Sequence, residues 1–199
     1  MFPLFETIRV ENGQIMHGSW HEYRFASSYH QYFGKKAPFD LFEGITIPQN
    51  FQSGLVKLRI AYGKKDRQVQ FEDYQIRRIN RLKLVSGDDL DYSLKFSNRT
   101  GLEILLQQKG DCDDVLIIKN GQVTDSSYCN IVLFDGKNWV TPKNPLLNGT
   151  ARERLLSIGK ITTSEIHVSD LKQFDSFKLI NAMRDFEQVE AIGLMGIEF

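Results

Sequence analysis

The chain has 199 residues, of which 25 are basic and 25 acidic, so its formal net charge is zero; 41% of it is hydrophobic and 12% aromatic. That balance excludes a disordered polyelectrolyte and a surface that would hold nucleic acid by charge alone. Fourteen Phe and seven Tyr supply the area for a substantial core or an aromatic-lined pocket.

The first residues, Met1-Phe2-Pro3-Leu4-Phe5-Glu6, carry neither the basic nor the apolar stretch of a secretory leader, and no later segment is apolar for the length of a bilayer. A cytoplasmic protein is expected. Residues 5–10 alternate as a strand, and Asn12-Gly13 turns it into a hairpin. Ser19 is expected to cap a helix in which Tyr23, Ala26, Ser27, His30 and Phe33 recur before Gly34 stops it. The stretch 35–52, with Pro38, Gly44 and Pro48, reads as an irregular connection. Segments 55–62 and 68–74 form a second hairpin about Gly63-Lys64-Lys65-Asp66.

The basic run over 77–83 is interrupted by Ile79 and Leu82 and reads as a solvated linker, not a nucleic-acid site. The polar break Ser86-Gly87-Asp88-Asp89 marks the expected boundary between a small α/β domain over 1–86 and a larger β-rich domain over 87–199. Leu102, Leu105 and Leu106 place one apolar face on a helix over 97–109. Strands are expected over 114–119, 131–134, 139–140 and 177–180, with Asn120-Gly121 and Asp135-Gly136 as turns and a helix over 152–158. Antiparallel hairpins with interspersed helices indicate an α+β fold in two unequal halves.

Several residues carry chemistry by type and place. Leu147-Asn148-Gly149-Thr150 leads into a helix, and a glycine turn at a helix start offers backbone N–H groups to an anion, although an ordinary loop has the same pattern. Lys95 stands between Leu94 and Phe96; apolar surroundings favour a nucleophilic amine, and a lysine whose head reaches water has the same neighbours. Cys112 and Cys129 are too few for a disulfide framework and are expected to be free thiols. His17, His21 and His30 lack carboxylates at ligand spacing, so no metal is expected.

The chain resembles the class IV aminotransferases, the fold-type IV pyridoxal-phosphate enzymes. The resemblance rests on Phe5-Glu6-Thr7-Ile8-Arg9-Val10, His21-Glu22-Tyr23-Arg24, Leu94-Lys95-Phe96-Ser97-Asn98-Arg99, the block from Val123 to Ile131, and Thr141-Pro142 followed by Leu147-Asn148-Gly149-Thr150-Ala151-Arg152. Order and spacing agree over nearly the whole chain, and Lys-x-x-Asn-Arg looks more like the 4-amino-4-deoxychorismate lyase branch than the branched-chain branch. The resemblance implies a two-domain fold like that of D-amino-acid aminotransferase. Relatives usually begin with a further strand and a Gly-Asp-Gly turn, so a small domain shortened at its N-terminus is expected, which either opens the substrate side or leaves part of the pocket to a partner subunit; the resemblance implies a homodimer.

The roles implied are these. Lys95 would hold pyridoxal 5'-phosphate through its amine and, once released by substrate, carry protons at the substrate carbon. Arg24 would clamp the phosphate, helped by Thr150 and Ala151 at the helix start and by Asn181 and Ala182 after the last strand. Asp125 matches the place where relatives carry a glutamate against the pyridine nitrogen; aspartate is one methylene shorter. Arg59 and Arg99 are the candidates for a substrate carboxylate. The implied activity is a lyase giving 4-aminobenzoate and pyruvate for folate synthesis. The alternatives are a branched-chain or D-amino-acid transaminase, or a binding protein that keeps the fold without catalysis.

Overall fold

The computed structural model describes residues 2–199. The chain divides into two compact units, Met1–Ile76 with Leu94–Asn98, and Arg77–Ser93 with Arg99–Phe199. The boundary expected after Ser86 differs from this division. Leu82–Ser86 is a strand hydrogen-bonded to Asp114–Lys119 of the second unit, whereas the segment holding Lys95 belongs with the first.

The first unit is a four-stranded antiparallel sheet carrying one helix. Its strands are β1 (Leu4–Glu11), β2 (Gln14–Ile15), β3 (Leu55–Tyr62) and β4 (Arg67–Asp73), in the order β2-β1-β3-β4. The β1–β2 turn puts Asn12 and Gly13 at φ 48° and 75°, the left-handed pair that a two-residue hairpin needs. Helix α1 (Gly18–Phe33) starts just before the expected Ser19, with His17 as its N-cap in a left-handed conformation, and Gly34 ends it at φ 69°. Alternation in β1 sends Leu4, Glu6, Ile8 and Val10 to one face. The three apolar members meet Phe25 and Tyr29 of α1 and Val56, Leu58, Ile60 and Tyr62 of β3 in a single core. Burying each such aromatic contributes roughly 1.5–3 kcal/mol. Leu94–Asn98 completes the unit by pairing with the free end of β1: Phe5 N–H donates to the Lys95 carbonyl at 3.1 Å and Ser97 N–H to the Pro3 carbonyl at 2.7 Å.

The second unit is a larger mixed sheet. Its strands are β5 (Leu82–Ser86), β6 (Asp114–Lys119), β7 (Gln122–Ser126), β8 (Asn130–Phe134), β9 (Trp139–Pro142), β10 (Thr162–Ser164), β11 (Ser176–Ile180), β12 (Ile192–Gly193) and β13 (Ile197–Glu198). The main path runs β10-β9-β8-β7-β6-β5-β13, while β11 pairs with β8 and β12. Helix α2 (Thr100–Leu106) tightens into a 3-10 turn to Lys109, so the expected helix over 97–109 begins later, after Ser97 and Asn98 have joined the first unit. Helix α3 is Thr150–Ser157. Leu82, Leu116, Ile131, Leu133, Phe177 and Leu179 are the centre of this unit's core. Cys112 and Cys129 are free and buried. No helix of the described residues is long and apolar enough to cross a membrane. Architecture and element content are those of the α+β fold-type IV class expected from the resemblance.

Candidate active site

The candidate residues fall into two groups, one in each unit. In the first unit, Glu6 is the one acid on the apolar face of β1, with no exposed surface. Ionising a carboxyl there is costly unless cations face it. Helix α1 supplies one cation and one further donor from positions three apart: Arg24 Nε donates to Oε1 at 2.8 Å, Arg24 Nη2 to Oε2 at 2.5 Å, and His21 Nδ1 lies 2.6 Å from Oε2. Burial alone would raise the Glu6 carboxyl, but the Arg24 charge and the His21 hydrogen bond outweigh it and hold the pKa at about 2. The His21 imidazole is held below its usual value, burial outweighing its bond to Glu6. It therefore stays neutral beside an ionised carboxylate, which can only accept, so Nδ1 carries the proton and donates it. The Arg24 guanidinium is thereby fixed in orientation while its side chain keeps 12% of its surface exposed.

The other face of the same sheet holds Lys95 and Arg59. The bridge Leu4↔Phe96 sets Phe96 on the core side and turns Lys95 to the opposite face, where β1 shows Phe5. On β3, Thr7↔Arg59 and Phe5↔Ala61 put Arg59 diagonally across from Phe5. Both cations lie over the Phe5 ring, Lys95 Nζ at 4.8 Å and the Arg59 guanidinium at 4.1 Å from its centroid. Lys57, on the same face of β3, is held below its usual pKa by burial and by the Arg59 charge, although it pairs with Glu72. This face concentrates positive charge around one aromatic ring.

In the second unit, Asp125 ends up buried in β7 beside the start of α3. Its Oδ1 accepts from Asn130 Nδ2 at 2.8 Å and its Oδ2 from Leu147 N–H at 3.0 Å. These donors are neutral. The Arg152 charge also lowers the carboxyl's pKa, but that guanidinium hydrogen-bonds to Glu153 and the Pro142 carbonyl. Burial therefore wins, and the Asp125 pKa is pushed up to about 6. Immediately downstream, Gly149 is the N-cap of α3 and brings no side-chain cap to the amides of Thr150 and Ala151. Those first-turn groups lack partners within the helix and, with the helix dipole, favour an anion.

The remaining candidates serve the frame. The Asn181 side chain accepts from Met183 and Arg184 N–H at 2.9 and 3.0 Å and donates toward the Tyr128 carbonyl and Cys129 Sγ, so it ties the turn that holds Ala182 to the β7–β8 connection. Arg99 donates to Tyr92 Oη at 3.1 Å and the Ser127 carbonyl at 2.7 Å, with the Tyr128 ring 4.7 Å away. It thus grips that same connection. The Cys129 thiol is pushed up to about 12 by burial, which suits a packed group and not a nucleophile.

Glu6, His21, Phe5 and Asn130 acquire importance that the sequence does not announce by motif. For Glu6 and His21 a signal exists: an acid among Leu4, Ile8 and Val10 on a buried strand face demands a cation, and His21 and Arg24 lie one helical turn apart. For Asn130 there is none, since its partners lie in separate segments.

The residues fit pyridoxal phosphate on two observations. Asp125 is a buried acid bonded only to neutral donors, the setting in which a protonated ring nitrogen would supply the missing cation. The uncapped start of α3 suits a phosphate. Comparison with known proteins agrees. Residues 72–192 match the model of the amino-transferase class IV family. An uncharacterized protein of Haemophilus influenzae is 44% identical over 185 residues, covering 92% of this chain and 98% of that one. A crystal structure from Haemophilus somnus 129PT, provisionally named a 4-amino-4-deoxychorismate lyase, is 41% identical, with a TM-score of 0.88 over 94% of this chain and 98% of that one. A provisionally named amino-acid aminotransferase of Mesorhizobium loti, at 20% identity and a TM-score of 0.80 over 100% and 99% of the two chains, shares the fold. The chain belongs to the class IV amino-transferase family, whose members are pyridoxal-phosphate-dependent enzymes.

Proposed function

We propose that this protein is a 4-amino-4-deoxychorismate lyase, converting that substrate to 4-aminobenzoate and pyruvate. The observation that carries the reading is the cationic face of the first unit, where Lys95 and Arg59 both lie over the Phe5 ring and Lys57 stands on the same strand as Arg59. A cyclic substrate with two carboxylates calls for such a combination of guanidinium, ammonium and aromatic surface. The 41% identity to the Haemophilus somnus protein of that provisional name supports it.

Within this reading, Lys95 is the residue whose amine would hold the cofactor and, freed from it, act on the substrate. Of the first unit, Arg24, held by Glu6, would serve as a cation for the phosphate. Of the second unit, Thr150 and Ala151 would offer backbone N–H groups to an anion at the start of α3, and Asn181 holds the turn carrying Ala182. Asp125 keeps a proton on the ring nitrogen. Bound pyridoxal phosphate supplies an electron sink for a carbanion at the amine-bearing carbon. The freed Lys95 amine removes the proton from that carbon and delivers a proton to the methylene of the departing enolpyruvyl group. The carbon–oxygen ether bond breaks, pyruvate leaves, and the ring becomes aromatic. Arg59 orients a substrate carboxylate.

The test is incubation of the pyridoxal-phosphate-loaded protein with 4-amino-4-deoxychorismate, following 4-aminobenzoate by chromatography and pyruvate by a coupled assay. Equimolar products that disappear with Lys95→Ala are expected. Amine transfer to a keto acid without pyruvate release would instead identify a transaminase.

A further inference from the structure

We propose that Asn130 is a positioning residue that joins Asp125 to the N-terminus of α3 as one preset grip on the cofactor, an inference that rests on the pyridoxal-phosphate reading above. Its side-chain amide works in two directions. Nδ2 donates to Asp125 Oδ1 at 2.8 Å and to the Leu147 carbonyl at 2.9 Å. Asp125 closes the ring by accepting the Leu147 N–H on Oδ2 at 3.0 Å. One amide thus ties the first residue of β8 to the acid of β7 and to the loop before α3, and both Asn130 and Asp125 are buried.

The oxygen side of the same amide sets a second distance. A Cβ on Gly149 would come within 1.9 Å of Asn130 Oδ1. Gly149 has φ −70° and ψ 138°, a conformation open to any residue, so glycine is required there for room and not for backbone freedom. The N-cap of α3 therefore approaches Asn130 as closely as its missing side chain allows. Asp125 can influence only the ring-nitrogen end of the cofactor, whereas Asn130 governs that end and the phosphate end together.

The experiment measures the dissociation constants of the cofactor-free protein for pyridoxal phosphate and for pyridoxal by absorbance titration. It compares wild type, Asp125→Asn, Asn130→Ala, Gly149→Ala and the Asn130→Ala/Gly149→Ala pair. The ratio of the two constants isolates the contribution of the phosphate. Asp125→Asn should weaken both ligands by the same factor and leave the ratio unchanged. Asn130→Ala should weaken both by about tenfold or more and also shrink the ratio, because loss of one buried donor strands two acceptors. Gly149→Ala should shrink the ratio alone, and should add little to Asn130→Ala, since the clash is then relieved.

Constants for Asn130→Ala within about twofold of wild type, or an unchanged ratio, would overturn the proposal while leaving the cofactor reading intact. Should Asn130→Ala fail to fold, Gly149→Ala decides alone, a wild-type ratio refuting the proposal. Failure of the wild type to bind either ligand would remove the cofactor reading and this proposal with it.

Discussion

Glu6 and Asp125 are both buried carboxyls, one in each unit, and they end in opposite states. Glu6, in the first unit, has a pKa held at about 2; Asp125, in the second, has one pushed up to about 6. Burial opposes ionisation in both. Glu6 faces a guanidinium in two-point contact and a neutral imidazole, whereas Asp125 faces an amide NH2 and a peptide N–H. A neutral donor eases a buried negative charge but does not cancel it. The first unit thus pairs its buried acid with a cation of its own, whereas the buried acid of the second is hydrogen-bonded by neutral groups.

The comparison is broken most forcefully by removing the cation from the complete pair. Arg24→Met should cost about 3–5 kcal/mol in urea unfolding, since it strands a buried carboxylate, and Glu6→Gln in the same chain should restore most of the loss. Equal stabilities for the single and double variants would show that Arg24 does not compensate Glu6.

Acid titration sharpens the contrast because the two carboxyls have opposite signs. The folded pKa of Glu6 lies below its ordinary 4.5, so its contribution is present above that value and fades as pH falls toward about 2. The folded pKa of Asp125 lies above its ordinary 3.8, so its contribution is present below that value and is lost as pH rises through about 6. Relative to Asp125→Asn, the cofactor-free wild type should therefore lose about 2 kcal/mol between pH 4 and pH 7. Relative to Glu6→Gln, it should lose stability in the other direction, below pH 4.5. Parallel profiles for the two variants would remove the distinction.

Smaller effects calibrate the scale. Arg99→Met should destabilise by about 1–2 kcal/mol, because the Ser127 carbonyl loses a charged donor. Lys143→Ala breaks an exposed pair with Glu165 and should leave the urea midpoint unchanged within the precision of the measurement.

Much of this was legible in the sequence, for physical reasons that also mark where legibility ends. Both Asn-Gly hairpins, the helix stopped by Gly34 and the strands about Gly63–Asp66 follow from local turn and cap chemistry, and they stand as read. The domain boundary did not follow. Leu82–Ser86 pairs in parallel with a strand far along the chain, and Leu94–Asn98 returns to the edge of β1, two long-range pairings that no local pattern announces. Lys95 therefore belongs with the first unit, although its place in the chain groups it with the second. The candidate residues themselves were visible through motif order, but their partners were not. That Glu6 restrains Arg24 and that Asn130 supports Asp125 depends on contacts across separate elements.

The central claim is that Asp125 lacks a counter-cation until a ligand brings one. It is tested most directly by carbon-13 NMR titration of the Asp125 carboxyl, assigned by difference from Asp125→Asn, with and without pyridoxal phosphate. The account predicts a midpoint near 6 in the cofactor-free protein, falling below the ordinary aspartate value when the cofactor binds. A midpoint already ordinary without cofactor, or one that binding leaves in place, would contradict it.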